Sequence, residues 1–154
     1  MSEHIENITL DSSIKPRTPE ILNERNVAMA DLLDENRFEP TCMKAGPYGL
    51  HLSIEEGRLV FDIQGQGGSD FTKRVALSIA PLKTVIRDYF MICESYYEAL
   101  KTAGASKIEA IDMARRGIHN EGSEILQTVL KDRVVVDFAT SRRLFTLICV
   151  LHIK

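Results

Sequence analysis

The chain has little that points to a membrane, to secretion or to a metal. Its longest strongly apolar run, LFTLICVLHI near the C-terminus, is half of the ~20 residues a bilayer span requires, so no membrane role is expected. The opening MSEHIENITL is acidic and has neither a basic leading segment nor a continuous apolar stretch, so no secretory signal is expected. Cysteine is scarce: Cys42, Cys93 and Cys149 are odd in number and far apart. They suit buried free thiols in a reducing cytoplasm better than a disulfide framework. No internal repeat or low-complexity segment is present. The one glycine-rich stretch, QGQGGSD (64–70), lacks GxGxxG spacing and lies between alternating segments, so a hairpin loop is expected there rather than a phosphate cradle. Histidine is equally sparse. His119 has no second histidine four residues away, and His4, His51 and His152 are scattered, so no metal site and no cofactor are expected.

Charge excludes less. The formal net charge is -3, but it is unevenly spread. Residues 1–40 carry four basic and nine acidic side chains, a net of -5, whereas residues 101–154 carry nine basic and six acidic, a net of +3. Generic nucleic-acid binding needs a concentrated basic stripe, so this balance argues against it. An anionic small molecule or an acidic partner surface fits better.

What is present reads as one domain over 1–154, because 44% apolar and 27% charged residues are the composition of a globular chain long enough to bury a core. An N-terminal part, 1–40, holds a short alternating strand (Ile5 to Leu10) and a helix. Thr18 suits its cap and Pro19 its first position. Ile21, Leu22, Ala28, Met29, Leu32 and Leu33 form its apolar stripe, and Asn36 and Pro40 mark its end. A middle part, 47–80, alternates with period two: Tyr48, Leu50, Leu52 and Ile54, then Leu59, Phe61 and Ile63, then Val75, Leu77 and Ile79. That pattern predicts an antiparallel β-meander covered on one face.

The helical part, 81–154, supplies the cover. After Pro81, residues Leu82, Val85, Ile86, Tyr89, Phe90, Ile92, Cys93, Tyr96, Tyr97 and Leu100 share one half of a helical wheel and predict a helix ended by Gly104. Ser106 and Glu109 have capping-box spacing and predict the start of the next. The last segment, DFATSRRLFTLICVLHIK, is capped by Asp137 and nearly all apolar from Leu144, which predicts either the central helix of the domain or a subunit interface. The fold class is therefore α+β, a β-meander packed against helices with an apolar C-terminal helix at the centre.

The candidate site is ARRGIHNEGSE, 114–124. Ile108, Ile111, Ala114, Ile118, Gly122, Ile125 and Val129 step by three or four residues and favour one helix through both glycines, which together weaken it by about 2 kcal/mol relative to alanine. A kink at Gly117 is the alternative. Gly122 falls on the stripe, where a missing side chain admits a neighbouring helix. On one flank lie Asp112, Arg116, His119 and Ser123, with Asn120 and Glu121 beside them. The bland reading is a wet Asp112–Arg116 pair worth a few tenths of a kcal/mol, with His119 a bystander. The sharp reading is an acid/base His119 oriented by Asp112 or Glu121, with Arg116 holding an anion. No nucleophile is spaced for a triad, so the bland reading carries more weight.

Arg142 and Arg143 add a second cue. Both fall in the first turn of the last helix, where the dipole disfavours cations, so something negative belongs near them. Asp137, Glu121 or Glu124 is the expected partner. A bound phosphate or carboxylate, held also by Thr140, Ser141 and free backbone N–H groups, is the functional alternative. The ring set Tyr89, Phe90, Tyr96 and Tyr97 reads as packing rather than base stacking, with Asp88 and Glu94 beside it.

The strings PYGLHLS, RLVFDI, DYFMICESYYEAL, IEAIDMARRGIHNEGS and VDFATSRRLFTLICVLH, in this order, resemble an uncharacterised bacterial protein family of the UPF series, found mainly in alphaproteobacteria. The resemblance covers most of the chain from Pro47 onward and departs at Ala114, where the family pattern has glycine. It implies an intracellular single-domain protein with no assigned activity, so no functional residues carry over. The expectation is thus a small cytoplasmic interaction or regulatory module, a homodimer, binding an anionic ligand through Arg116, Asn120, Glu121, Arg142 and Arg143. The alternative is a small enzyme with His119 as general acid/base and an arginine clamp.

Overall fold

The computed structural model describes residues 3–11, 18–41, 46–65 and 72–152. Strand β1 (Ile5–Leu10) leads into helix α1 (Pro19–Asp34), followed by β2 (Phe38–Pro40), β3 (Tyr48–Glu55), β4 (Arg58–Gln64), β5 (Thr72–Ser78), α2 (Ala80–Thr102), α3 (Ala105–Leu130), β6 (Val134–Val136) and α4 (Phe138–His152). This is the expected α+β architecture.

Strands β3, β4 and β5 form the meander, in antiparallel register with Leu52 opposite Phe61 and Phe61 opposite Val75. The β3–β4 turn is tight, and Glu56 and Gly57 take φ of 51° and 75°, the positive values a two-residue hairpin turn requires. The glycine-rich hairpin loop lies mostly outside the described residues. At the sheet edge, whose pairing the sequence left open, β1 joins β3 in parallel, so the four-stranded sheet, ordered β1-β3-β4-β5, is mixed. A parallel neighbour needs a crossover between the two strands, and α1 lies in it. Asn36 ties the two together, its carboxamide accepting from Ile5 N at 2.7 Å and donating to Ile5 O and Leu32 O at 3.0 and 2.7 Å. A second, two-stranded sheet pairs β2 with β6. Its three-residue strands are too short to show a period.

One sheet face carries Leu50, Leu52, Leu59, Phe61, Ile63 and Val75, all buried. The opposite face is mostly polar, although Val60 is buried there opposite Ser53. Helix α4 is central. Leu144, Phe145, Leu147 and Ile148 have no exposed surface, and α4 packs against α1, α3, α2 and β3. The apolar residues that raised a subunit interface from the sequence are therefore used inside the chain.

Helix α1 keeps only a narrow seam. Thr18 caps it, its hydroxyl accepting from Ile21 N at 3.2 Å, but only Ala28 and Leu32 are buried, while Leu22 and Leu33 are exposed. The i, i+4 pair meets α4, and the adjoining flank stands clear of it. Helices α2 and α3 fold back on each other through Ala103 and Gly104, both extended. Gly104 is the N-cap of α3 and no side chain caps it, so the Ser106–Glu109 box does not form. Ser106 is already inside the first turn.

Candidate functional site

Helix α3 runs unbroken through Gly117 and Gly122. Its buried stripe is rotated from the apolar one read in the sequence: His119, Gly122, Ser123, Leu126 and Leu130 are buried, whereas Ile118, Ile125 and Val129 are half-buried against the margin of the core. The cause is that α3 packs on two helices at once, α2 and α4, which widens the buried arc and draws His119 and Ser123 into the seam with α4. His119 is consequently no surface bystander.

Asp112 forms the ion pair expected with Arg116, at 2.8 Å, and a closer one with Arg115, at 2.6 Å. The hydrogen bond from Arg115, more than the charge of either arginine, holds the Asp112 carboxyl below its usual range. Arg115 also lies over the Tyr96 ring, 4.6 Å from its centroid, a cation–π contact that fixes it along α2.

His119 is bound elsewhere. Its ring meets Tyr89 and Phe145 edge-on, each with centroids 5.2 Å apart, and its Nε2 lies 2.7 Å from Thr146 Oγ1. Thr146 in turn donates to the Arg142 carbonyl at 3.3 Å, so its oxygen accepts from His119 and the proton is assigned to Nε2. Nδ1 is then a bare acceptor, buried and without a hydrogen-bond partner among the described residues. Burial, with help from the positive charges of Arg142 and Arg115, pushes the imidazole down to about 4. Neither Asp112 nor Glu121 orients it.

Arg142 and Arg143 depart from expectation: α4 begins at Phe138, so they lie in its second turn rather than its first. Asp137 caps α4, its Oδ1 accepting from Thr140 N at 2.9 Å. Glu121 and Glu124 are exposed. None of the three neutralises either arginine: Arg142 donates to the Asn120 side-chain oxygen, Arg143 donates to the Glu35 carbonyl at 3.2 Å, and neither meets a carboxylate among the described residues. Thr140 and Ser141 are committed to the interior. Thr140 Oγ1 accepts from Arg37 N at 2.9 Å, and Ser141 donates to the Ser123 carbonyl at 2.7 Å.

These groups meet in one cleft of about 680 Å³ between α1, α3 and α4. Arg116, His119 and Asn120 line it from α3, Arg142, Arg143 and Thr146 from α4, and Asn23, Glu24 and Asp31 from α1. The cleft thus brings His119 together with arginines from two helices. Glu121, Asp88 and Glu94 do not line it. Nothing in the sequence singled out the α1 wall, because Asn23, Glu24, Val27 and Asp31 lie beside the apolar stripe at ordinary helical spacing. Tyr89 at the floor donates to Glu24 at 3.1 Å, and burial, with Glu24 adding to it, raises the phenol far above its usual range. Among the described residues no group of three or more His, Cys, Asp or Glu side chains is placed to hold a metal, and no helix is long and apolar enough to cross a membrane.

A family model described as an uncharacterised protein family, UPF0262, matches residues 2–154. The chain belongs to the UPF0262 family. The UPF0262 protein of Brucella canis is 56% identical over 146 residues, covering 94% of this chain and 91% of that one. The UPF0262 protein of Rhizobium etli is 52% identical over 145 residues, covering 94% and 92%. The resemblance to an alphaproteobacterial UPF family is thereby established. No solved structure matches the chain. The UPF0262 description states no activity, so the cleft has to be read from its own chemistry.

Proposed function

We propose that this protein is a small ligand-binding module of regulatory or interaction type, and that the α1–α3–α4 cleft receives an anion. One observation carries the reading: Arg142 and Arg143 open on the cleft, and among the described residues their partners are neutral oxygens. A phosphate or carboxylate in the cleft supplies the negative charge these guanidiniums lack while accepting their remaining donors. Arg116 stands on the same rim, held by Asp112. The cleft volume falls in the range of small-molecule sites.

The enzyme alternative gains less. A general acid/base works best with a pKa near the operating pH, whereas the His119 imidazole is held at about 4. It is suited to serve as a neutral donor and acceptor, which favours binding over proton transfer.

Titration of inorganic phosphate, followed by calorimetry and by the melting temperature, tests the reading. Saturable binding that weakens about tenfold or more in Arg142→Ala/Arg143→Ala (~1.4 kcal/mol) and tightens in Asp112→Asn, which frees Arg115 and Arg116, is expected. Absence of saturable binding by phosphate, sulfate and carboxylates, amine-bearing ones included, would refute it.

A further inference from the structure

The two walls of the cleft carry opposite charge. The α3 and α4 walls present Arg116, Arg142 and Arg143, and the α1 wall presents Glu24 and Asp31. No ion pair joins the two sides among the described residues, although they share one space of about 680 Å³. A cube of that volume is roughly 9 Å on edge, close to the ~8 Å Debye length at physiological salt. Both walls therefore act electrostatically on anything inside.

From this we infer that the cleft selects a small soluble zwitterion, a molecule joining a phosphate or carboxylate to an ammonium group, with the anion on Arg142 and Arg143 and the ammonium on Glu24 and Asp31. The inference rests on the anion reading above and narrows it. A simple anion entering the cleft gains the arginines but is repelled by two carboxylates, whereas a zwitterion is attracted at both ends. The acidic wall is also built to stay in place. Tyr89, buried at the cleft floor, donates to Glu24 Oε1 at 3.1 Å. One Glu24 oxygen is thus anchored by a phenol, and the carboxylate is held in place before any ligand arrives. Asp31 has no cation partner among the described residues.

Matched probe pairs test the inference in the full chain by calorimetry: 3-aminopropyl phosphate against propyl phosphate, and γ-aminobutyrate against butyrate. In each pair the anion is kept and the amine deleted. The amine-bearing member is expected to bind about tenfold tighter, and this advantage is expected to vanish in Glu24→Gln/Asp31→Asn, with folding checked by circular dichroism. Arg142→Ala/Arg143→Ala is expected to weaken both members. If the amine-free probes bind as well as or better than their partners, the zwitterion inference is overturned while the anion reading survives. If no probe binds, the anion reading has failed and this inference falls with it.

Discussion

Gly122 of α3 lies against the ring tip of Phe145 on α4: a methyl carbon built on Gly122 would sit 2.2 Å from Cζ and 2.4 Å from Cε1. No real side chain tolerates such an approach, so glycine sets the distance at which the two helices meet. Phe145 has no room to retreat, being fully buried and edge-on to both Tyr89 and His119. The same contact brings His119 and Arg142 from different helices to the rim and floor of one cleft.

Gly122→Ala is therefore expected to destabilise the fold. Alanine gains about 1 kcal/mol of helix propensity, but overpacking a closed core costs about 1–3 kcal/mol, and the second effect wins here. Gly117 is the control, because a methyl carbon there meets nothing within 4 Å. Gly117→Ala should raise stability by up to about 1 kcal/mol. Urea denaturation of both variants and of Gly122→Ala/Phe145→Leu checks this, the smaller side chain recovering part of the loss. Equal stabilisation by both alanines would show that the helices are not in close contact.

The imidazole of His119 makes stability depend on pH. Its folded value of about 4 lies below the ordinary 6.5, so between these values the unfolded chain binds a proton that the folded chain does not. The contribution is complete above about pH 6.5 and is lost as pH falls towards about 4, on the order of 3 kcal/mol in all. Unfolding free energies at about pH 7.5 and about pH 4.5 should differ less in His119→Gln than in the native protein. An identical pH dependence in both would place the imidazole in solvent.

Cys93 and Cys149 are expected to resist thiol reagents in the folded protein. Both are buried. Burial pushes the Cys93 thiol up to about 11 and raises Cys149 well above its usual value, so the reactive thiolate is almost absent near neutral pH. Alkylation followed by peptide mass spectrometry should find both unmodified until denaturant is added. Rapid labelling of either under native conditions would contradict the packing of α2 against α4.

Much of this fold was legible in the chain. Alternation in YGLHLSIE and RLVFDIQ marks β3 and β4, and Thr18-Pro19 marks the start of α1, because period and capping are local physics. The same holds for the missing side chain at Gly122, whose helical phase placed it on a packing face. Where local signals are short or compete, the reading failed: FEP and VVV are too brief to display a period, and the Ser106–Glu109 box lost to an extended Gly104 that starts the helix two residues earlier.

The order of residues by itself determined most of the element types, which depend on neighbours a few positions apart, and the family, which rests on long strings met in order. Only the tertiary structure decided that His119 is buried, that Arg142 and Arg143 meet no carboxylate among the described residues, and that Glu24 and Asp31 line the same cleft. Those outcomes depend on how separate helices are brought together, the cleft joining residues as far apart in the chain as Asp31 and Arg116. No local pattern encodes that distance, because it is set by the joint packing of α1, α3 and α4 around one core.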